Sequence, residues 1–590
     1  MKEKDFLVLR FIAETRTPIT QRLIADTINC SLGTVNSSIV ELKKKGYITN
    51  NYELTQEGLN VLEPYKVKNA IILAAGMSTR FAPVSYEMPK GLIAVKNEKM
   101  VERLIRQLQE AGVNEIVMVV GYMMDKFFYL REKFGVKLVV NNEYATKNTH
   151  SSIYAARDYL ANTYIVCSDN YYPKNMFHSY EYRAFYCSIY LPGKSYVERG
   201  FVLDNDNLVI DTNKPSVDQW IMYGHAYYSQ EFTDKFKPIL ESYYGRPDID
   251  YMYWETIYSE NLDELKMWAL KCTDEDILEF DSMEELKKFD PEFVTHNQIK
   301  IFDNICKILN CHLSEIKDIQ PIKKGLNNKS FEFTVNGTCY IYRHPGANAE
   351  NVIDRHKEAI ALRAAKQLKI DDTLIYIDEE EGWKISKFVD VTETFDFANK
   401  KHIEMLAKEL KVLHDSKKKV GYTFNYRTEA DKLIDKKKYF DSISYRKLTD
   451  LRDMMTPIFN WLDDDVWQKT LCHNDLYEPN LLVCGDNLEL IDWEFAGDSD
   501  IGYDICKLFC VTMTPFNEID EWVKYYFGRP TTEEEKIHMM GCAAVIYYYW
   551  YVWGVYASQN GDEVAPYLIP WYDKMHYYAQ ETLKLLDRNK

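Results

Sequence analysis

Two short stretches, far apart in the chain, carry the residue types that handle phosphate. The first is Leu73-Ala74-Ala75-Gly76-Met77-Ser78-Thr79-Arg80-Phe81, followed by Pro89-Lys90-Gly91-Leu92. An apolar run that turns into small residues lets backbone N–H groups approach a triphosphate. Arg80 and Lys90 supply charge that can follow phosphate from reactant to leaving group. The second stretch is Cys472-His473-Asn474-Asp475-Leu476-Tyr477-Glu478-Pro479-Asn480, followed by Leu490-Ile491-Asp492-Trp493-Glu494. Phosphoryl transfer to an alcohol requires a carboxylate to take the proton, with an amide and a second carboxylate to hold Mg2+ on the nucleotide; Asp475, Asn480 and Asp492 fit these roles by position. A chain with both sites is expected to charge one small molecule in two consecutive steps.

Length and composition narrow the class. A chain of 590 residues suggests three or more domains, and an apolar content of 46% is ordinary for packed cores. The formal charge of -18 opposes long-range attraction to nucleic acid or to an anionic bilayer, so small anionic ligands need local basic groups. Twelve cysteines are scattered along the chain. The nearest pair, Cys506 and Cys510, lacks the further ligands of a zinc site, which points to reduced thiols in a cytoplasm. The first residues, MKEKDFLVLRF, hold no apolar stretch of signal-peptide length. The uncharged run from Cys542 to Ala557 is shorter than the roughly 20 aliphatic residues of a bilayer span and is rich in tyrosine and tryptophan. It reads as a buried helix, with no membrane role.

The elements that must position these groups fall into three segments: residues 1–66, 67–292 and 296–590. The first shows an apolar helix from Phe6 to Ala13, another near Thr20 to Thr27, then a helix with Leu32, Val35, Ile39 and Leu42 on one face and Gly46 placed to stop it. This resembles the winged helix-turn-helix of MarR-like regulators, in which the second helix reads the major groove. Here it would offer Ser31, Thr34, Asn36, Ser37 and Lys43 to Lys45. Nine Lys/Arg against eight Asp/Glu through residue 66 give DNA little general attraction, so docking or dimerisation stands as the alternative role. From Val67 the runs AIILAAG, EIVMVVG, KLVVNNEY and TYIVCSDN alternate with helices, as in a parallel sheet covered on both faces, whose ligands bind at the carboxyl ends of the strands. Beyond Pro291 come strands around SFEFTVNG and TCYIYRHPG, a helix from Ile353 to Gln367, and a large helical part. The expected fold class is multidomain α/β and α+β: a winged helix, a Rossmann-like nucleotidyltransferase with a parallel-type sheet, and a two-lobed protein-kinase-like domain.

The loop from Leu73 to Phe81 with Pro89-Lys90 resembles the signature of sugar-nucleotide nucleotidyltransferases, which commonly carry a second glycine where this chain has Ser78. Over residues 68 to 292, GYMMDKFFYLREKFGVKLVVNNEYATKNTHSSIYAARDYLANTYIVCSDNYY is similar to CTP:phosphocholine cytidylyltransferases. That likeness implies Mg2+ on Asp169 and Asp281, catalytic roles for Lys90 and Arg80, and CTP contacts from Leu73, Ala75, Gly76, Asn148, Ser151 and Ser152. A quaternary ammonium is held by aromatic faces and a carboxylate. Candidates are Tyr190, Tyr223, Tyr253, Trp254 and Glu255. A tryptophan of the family falls where this chain has Arg199, a cation that would repel trimethylammonium.

The stretch from Cys472 to Asn480 resembles the catalytic loop of choline kinases and aminoglycoside phosphotransferases. The resemblance implies ATP and Mg2+, with Asp475 as base and Asn480 and Asp492 as metal ligands. KKGLNNKSFEF looks like the phosphate-covering hairpin, ISKFVD like the adenine-side hinge, and Arg343 with Glu358 like the ion pair that meets the nucleotide. Tyr547, Tyr549, Trp550, Trp553 and Tyr556 could wall a choline cation, with Glu494 adding negative charge. The expected function is phosphorylation of choline by ATP, then transfer of CMP from CTP to phosphocholine with release of pyrophosphate. The alternatives are the same reactions on ethanolamine or another amino alcohol, and a transcription regulator that senses nucleotide or choline. The sequence is compatible with a homo-oligomer.

Overall fold

Asn69–Ala74 are six consecutive buried residues and form the central strand, β1, of the first half of the chain. The computed structural model describes residues 1–588 except 16–17, 191, 193–194, 197–198, 214–215, 323–327, 347–353, 437–441, 466 and 560–563. It divides into two compact units, Met1–Asn304 and Ile305–Lys590.

Around β1 lie β2 (Glu115–Val120), β3 (Lys137–Val140), β4 (Thr163–Cys167), β5 (Phe185–Tyr190), β6 (Gly200–Leu203), β7 (Val209–Asn213), β8 (Trp220–Tyr228) and β9 (Trp268–Cys272). The sheet runs β7-β6-β8-β4-β1-β2-β3, with β5 pairing both β8 and β9. Strands β3, β2, β1 and β4 are parallel. The expected parallel sheet holds there and again where β9 joins β5, but the sheet is mixed, because β8 joins β4 antiparallel. Both faces of β1 are covered, as a strand without polar alternation requires. Ala70 and Ile72 pack with Leu104, Leu108 and Met118, while Ile71 and Leu73 pack with Ile153, Phe236 and Trp254.

The N-terminal helices α1 (Glu3–Glu14), α2 (Gln21–Thr27), α3 (Leu32–Lys44) and α4 (Gln56–Leu62) belong to the same unit. Thr20, Ser31 and Thr55 cap α2, α3 and α4, each hydroxyl accepting an orphan N–H at 3.1 Å. Gly46 ends α3 at φ +74°. The wing is a single bridge, Ile48 to Leu54. Val35, Ile39 and Leu42 are buried as the spacing predicts, but Leu32, in the first turn, is 54% exposed. Helix α1 is fastened to the sheet domain. Phe6 meets Tyr65 and Tyr182 at 5.0 and 5.3 Å, Arg10 pairs with Glu181 at 2.9 Å, and Glu14 accepts from the Ser179 N–H at 2.7 Å and lies 2.8 Å from His178 Nδ1.

The second unit opens with an antiparallel sheet of β10 (Ile316–Ile322), β11 (Asn328–Val335), β12 (Thr338–Pro345), β13 (Leu374–Ile377) and β14 (Lys384–Lys387), ordered β10-β11-β12-β14-β13. Residues 323–327 of the phosphate-covering hairpin, and Ile353 at the start of the expected helix, lie outside the described residues; the helix is described from Arg355 to Gln367. Below it is a helical core in which Glu533–Gln559 and Ala565–Arg588 pack together. Gly554 permits their close approach, since a Cβ there would sit 2.7 Å from Leu568 and 2.9 Å from Trp571. The run from Cys542 to Ala557 lies in the first of these helices, and no helix among the described residues is long and apolar enough to cross a membrane.

Candidate active sites

In the first unit, β1 delivers Leu73 at its end, and Ala75, Gly76 and the loop follow. Ser78 adopts φ +48°, ψ +47°, left-handed backbone that suits glycine best, so the residue that departs from the family pattern sits where a side chain costs most. Parallel pairing sets Leu73 opposite Cys167, which brings Asp169 to the same sheet end. Lys90 Nζ lies 2.7 Å from Asp169 Oδ2 and 4.8 Å from the Phe81 ring centre. Gly91 makes this approach possible, since a Cβ would stand 2.7 Å from Ser168 Oγ. Burial works against both charges, but their attraction wins: the Lys90 pKa is raised and that of Asp169 lowered. Arg80 reaches Asp281 Oδ1 at 2.6 Å in a far more exposed pair. The loop, both cations and both carboxylates therefore converge.

Other expected residues serve the scaffold. Asn148 caps the helix Thr149–Ala155 with its side-chain oxygen. Ser151 is buried, accepting from Asn141 and donating to the Asn148 carbonyl, and Ser152 also accepts from Asn141. Trp254 corrects the expectation of a substrate face. It is 2% exposed, stacked on Tyr186 at 5.6 Å with edge contacts from Tyr228 and Phe236, so the sheet core consumes it. Glu255 stays near the site, accepting from Tyr186 OH at 3.0 Å, and with Asp169 it helps to push up the pKa of Cys167 after burial. Arg199 Nη2 donates to Thr256 Oγ1 at 3.3 Å, beside Glu255. Tyr223 OH accepts from the Glu279 N–H at 2.7 Å, whereas Tyr190 and Tyr253 are 43% and 49% exposed.

In the second unit, the strand Lys469–Cys472 leads into Asp475, the turn Glu478–Asn480 supplies Asn480, and the hairpin of Leu481–Cys484 with Asn487–Leu490 returns the chain to Asp492. Asn480 Nδ2 donates to Asp475 Oδ2 at 3.1 Å and to the Asp475 carbonyl at 3.0 Å. Its Oδ1 is thereby turned away from Asp475. Burial, then the charge of Asp492, pushes the Asp475 pKa up to about 7. Above it, Arg343 makes a two-pronged pair with Glu358 at 2.5 and 2.9 Å, donates to the Gly382 carbonyl at 3.1 Å and lies 3.6 Å from Asp492. Although burial resists it, this pair lowers the Glu358 pKa to about 2. Glu494 lies 3.9 Å from Arg355, its Oε2 is buried without a hydrogen bond, and burial and Asp492 raise its pKa well above the usual carboxylate range.

Sequence reasoning missed the groups that shape this loop. Asp504 accepts the N–H groups of His473 and Asn474 at 2.8 and 2.9 Å and meets His414 Nε2 at 3.2 Å. His473 accepts the Asp475 N–H at Nδ1 and bonds the Ile491 carbonyl at 3.0 Å through Nε2, joining the base loop to the metal segment. Tyr426 OH donates to the Asn474 carbonyl. Asn474 and Asp492 hold φ +64° and +69° within this network, the one available signal being that asparagine and aspartate tolerate left-handed backbone. Missed too were Trp571 and Tyr567: Trp550 lies 5.8 Å from Phe495, 5.6 Å from Trp553 and 5.9 Å from Trp571, and Tyr567 stacks on Trp571 at 5.5 Å. Tyr547, in contrast, is 3% exposed and bonds Cys510.

The chain is an enzyme that joins a nucleotidyltransferase to a phosphotransferase. Its residues 70–170 match the MobA-like NTP transferase domain, 319–536 the choline/ethanolamine kinase family and 1–49 a winged helix-turn-helix DNA-binding domain. It is 34% identical over 221 residues to the choline-phosphate cytidylyltransferase of Streptococcus pneumoniae, covering 38% of this chain and 96% of that one. The 2-aminoethylphosphonate cytidylyltransferase of Lancefieldella rimae is also 34% identical, over 38% of this chain and 93% of its own length. Over 41% of this chain and 95% of its own length, protein LicA of Haemophilus influenzae is 22% identical. Among solved structures, the S. pneumoniae CTP:phosphocholine cytidylyltransferase covers 38% of this chain and 98% of its own, with 34% identity and a TM-score of 0.37. The S. pneumoniae choline kinase LicA covers 48% and 99%, with 22% identity and a TM-score of 0.41. The chain thus belongs to the choline-phosphate cytidylyltransferase family, extended by a winged helix and a choline kinase-type domain.

Proposed function

We propose that the protein phosphorylates choline with ATP and then transfers CMP from CTP to the phosphocholine formed, giving CDP-choline and pyrophosphate. The observation that supports this reading is that each unit gathers its own cluster of charged and amide side chains: Lys90, Arg80, Asp169 and Asp281 in one, Asp475, Asn480, Asp492 and Arg343 in the other. In the kinase step Asp475 accepts the choline hydroxyl proton while Asn480 orients its carboxylate, and Arg343, fixed by Glu358 and the Gly382 carbonyl, meets the ATP phosphates. Phe495, Trp550, Trp553, Trp571 and Tyr567 offer aromatic faces for the trimethylammonium. In the transferase step a phosphocholine oxygen attacks the α-phosphorus of CTP. Lys90 and Arg80 stay with the departing pyrophosphate.

Mg2+ fits both sites on the chemistry of the donors. The oxygens of Asp492 and Asn480, with the orphaned Oε2 of Glu494 nearby, and the carboxylates of Asp169 and Asp281 are hard ligands. The ion would supply charge neutralisation at the reacting phosphates. The test is incubation with ATP, CTP, Mg2+ and choline, following ADP, pyrophosphate and CDP-choline. A chain that consumed neither nucleotide would refute the reading. A second reading, the same steps on ethanolamine or another small amine, is supported by the oxygens of Thr256 and Glu255 beside Arg199, which can accept the N–H hydrogen bonds that a primary ammonium donates and a trimethylammonium lacks. A lower KM for phosphoethanolamine than for phosphocholine would establish it. For the winged helix, exposed Asn36 and Ser37 with Lys43 to Lys45 support DNA contact by α3. A gel shift on the chain's own upstream DNA, with its salt slope, tests that role.

A further inference from the structure

Both carboxylates proposed as metal ligands in the transferase site are already held by the cations proposed to bind phosphate. Lys90 Nζ sits 2.7 Å from Asp169 Oδ2 and Arg80 Nη1 2.6 Å from Asp281 Oδ1. The two pairs differ in strength. The side chains of Arg80 and Asp281 are 74% and 48% exposed, so water and salt screen them and the arginine swings away at little cost. Lys90 and Asp169 are 8% and 24% exposed, and the ammonium is trapped between the carboxylate and the Phe81 ring. A cation brought to Asp169 would meet a second cation at contact distance in a partly desolvated site.

We infer that the Lys90–Asp169 pair is a latch that bars a divalent metal ion from the transferase site until CTP draws the lysine away. This rests on the cytidylyltransferase reading above. The triphosphate offers Lys90 and Arg80 a more highly charged partner than either aspartate, and the freed carboxylates then face the metal ion that accompanies it. Metal and nucleotide are thereby coupled. The factor by which CTP tightens the metal equals the factor by which the metal tightens CTP.

The test uses the full chain carrying Asp492→Asn, which removes the kinase metal carboxylate. Equilibrium dialysis with Mn2+ counts the metal retained per chain, without nucleotide and with CTP on both sides of the membrane. CTP is expected to raise Mn2+ affinity by at least about tenfold, within the usual range of such couplings, and Lys90→Met to raise the nucleotide-free affinity by a similar factor. Lys90→Gln serves as a second neutral variant if Lys90→Met fails to fold. Nucleotide-free Mn2+ binding as tight as binding with CTP would overturn the latch, as would neutral variants that gain no affinity. CMP transfer to phosphocholine, measured on the same Asp492→Asn chain, separates the two ideas. Product formed alongside nucleotide-independent metal binding sinks the latch alone, whereas no product and no CTP-dependent metal sinks the transferase reading as well.

Discussion

Ser78 carries a Cβ at φ +48°, and only glycine holds such backbone without cost. Ser78→Gly is expected to stabilise the first unit by about 0.5–1 kcal/mol in urea unfolding, the relief of strain outweighing the added freedom of the unfolded chain. At Gly382, with φ +75°, a Cβ would lie 2.8 Å from Arg355, while its carbonyl anchors Arg343. Gly382→Ala should raise the KM for ATP and cost about 1–3 kcal/mol of kinase-unit stability, measured by initial rates and thermal unfolding. Asp475 gives opposite signs for rate and stability. Its pKa of about 7 stands above the ordinary carboxylate value, so the folded enzyme holds a proton that the unfolded chain releases. Between about pH 4 and 7 this group therefore adds stability as pH falls, while the kinase kcat/KM drops with unit slope below about pH 7 because the base is protonated. A kcat/KM profile flat from pH 5 to 8 would contradict the role of Asp475.

Elements were legible where one physical signal dominated. The uninterrupted apolar run of β1 and its exit through the small residues Ala74, Ala75 and Gly76 marked the nucleotide loop, and the five-residue step from Asp475 to Asn480 marked the kinase turn. The antiparallel entry of β8 was not legible, because a buried run says nothing about strand direction. Trp254 was misread for a related reason: an aromatic followed by a glutamate resembles a cation site until Tyr186, Tyr228 and Phe236 close around it. The attachment of α1 was also hidden, since Arg10, Glu14, His178 and Glu181 lie far apart in sequence. That attachment makes residues 1–66 part of the transferase unit. Their removal uncovers Tyr182 and strips partners from Ser179 and Glu181. The truncated chain is expected to unfold in its first unit several degrees lower, about 1–3 kcal/mol less stable, by differential scanning calorimetry.

At the scale of the whole molecule, two self-contained sites predict separable losses. Asp475→Asn should abolish ADP formation yet leave pyrophosphate release from CTP and supplied phosphocholine intact. Asp169→Ala should do the reverse. Joining the steps raises the local concentration of the intermediate without any added contact. With acid in excess over base, the proposed phosphate contacts rest on a few placed residues, Lys90, Arg80 and Arg343, each held by a carboxylate.

The grip of Asp504 on the amides of His473 and Asn474 reaches beyond catalysis. A kinase fragment ending at Gly485 would contain the base and its amide neighbour but not the carboxylate that gives their backbone its shape. Such a fragment should be inert alone and should regain turnover when the remaining piece is supplied in trans, so the exposed bend at Gly485 is a place to split this enzyme into a reporter of proximity.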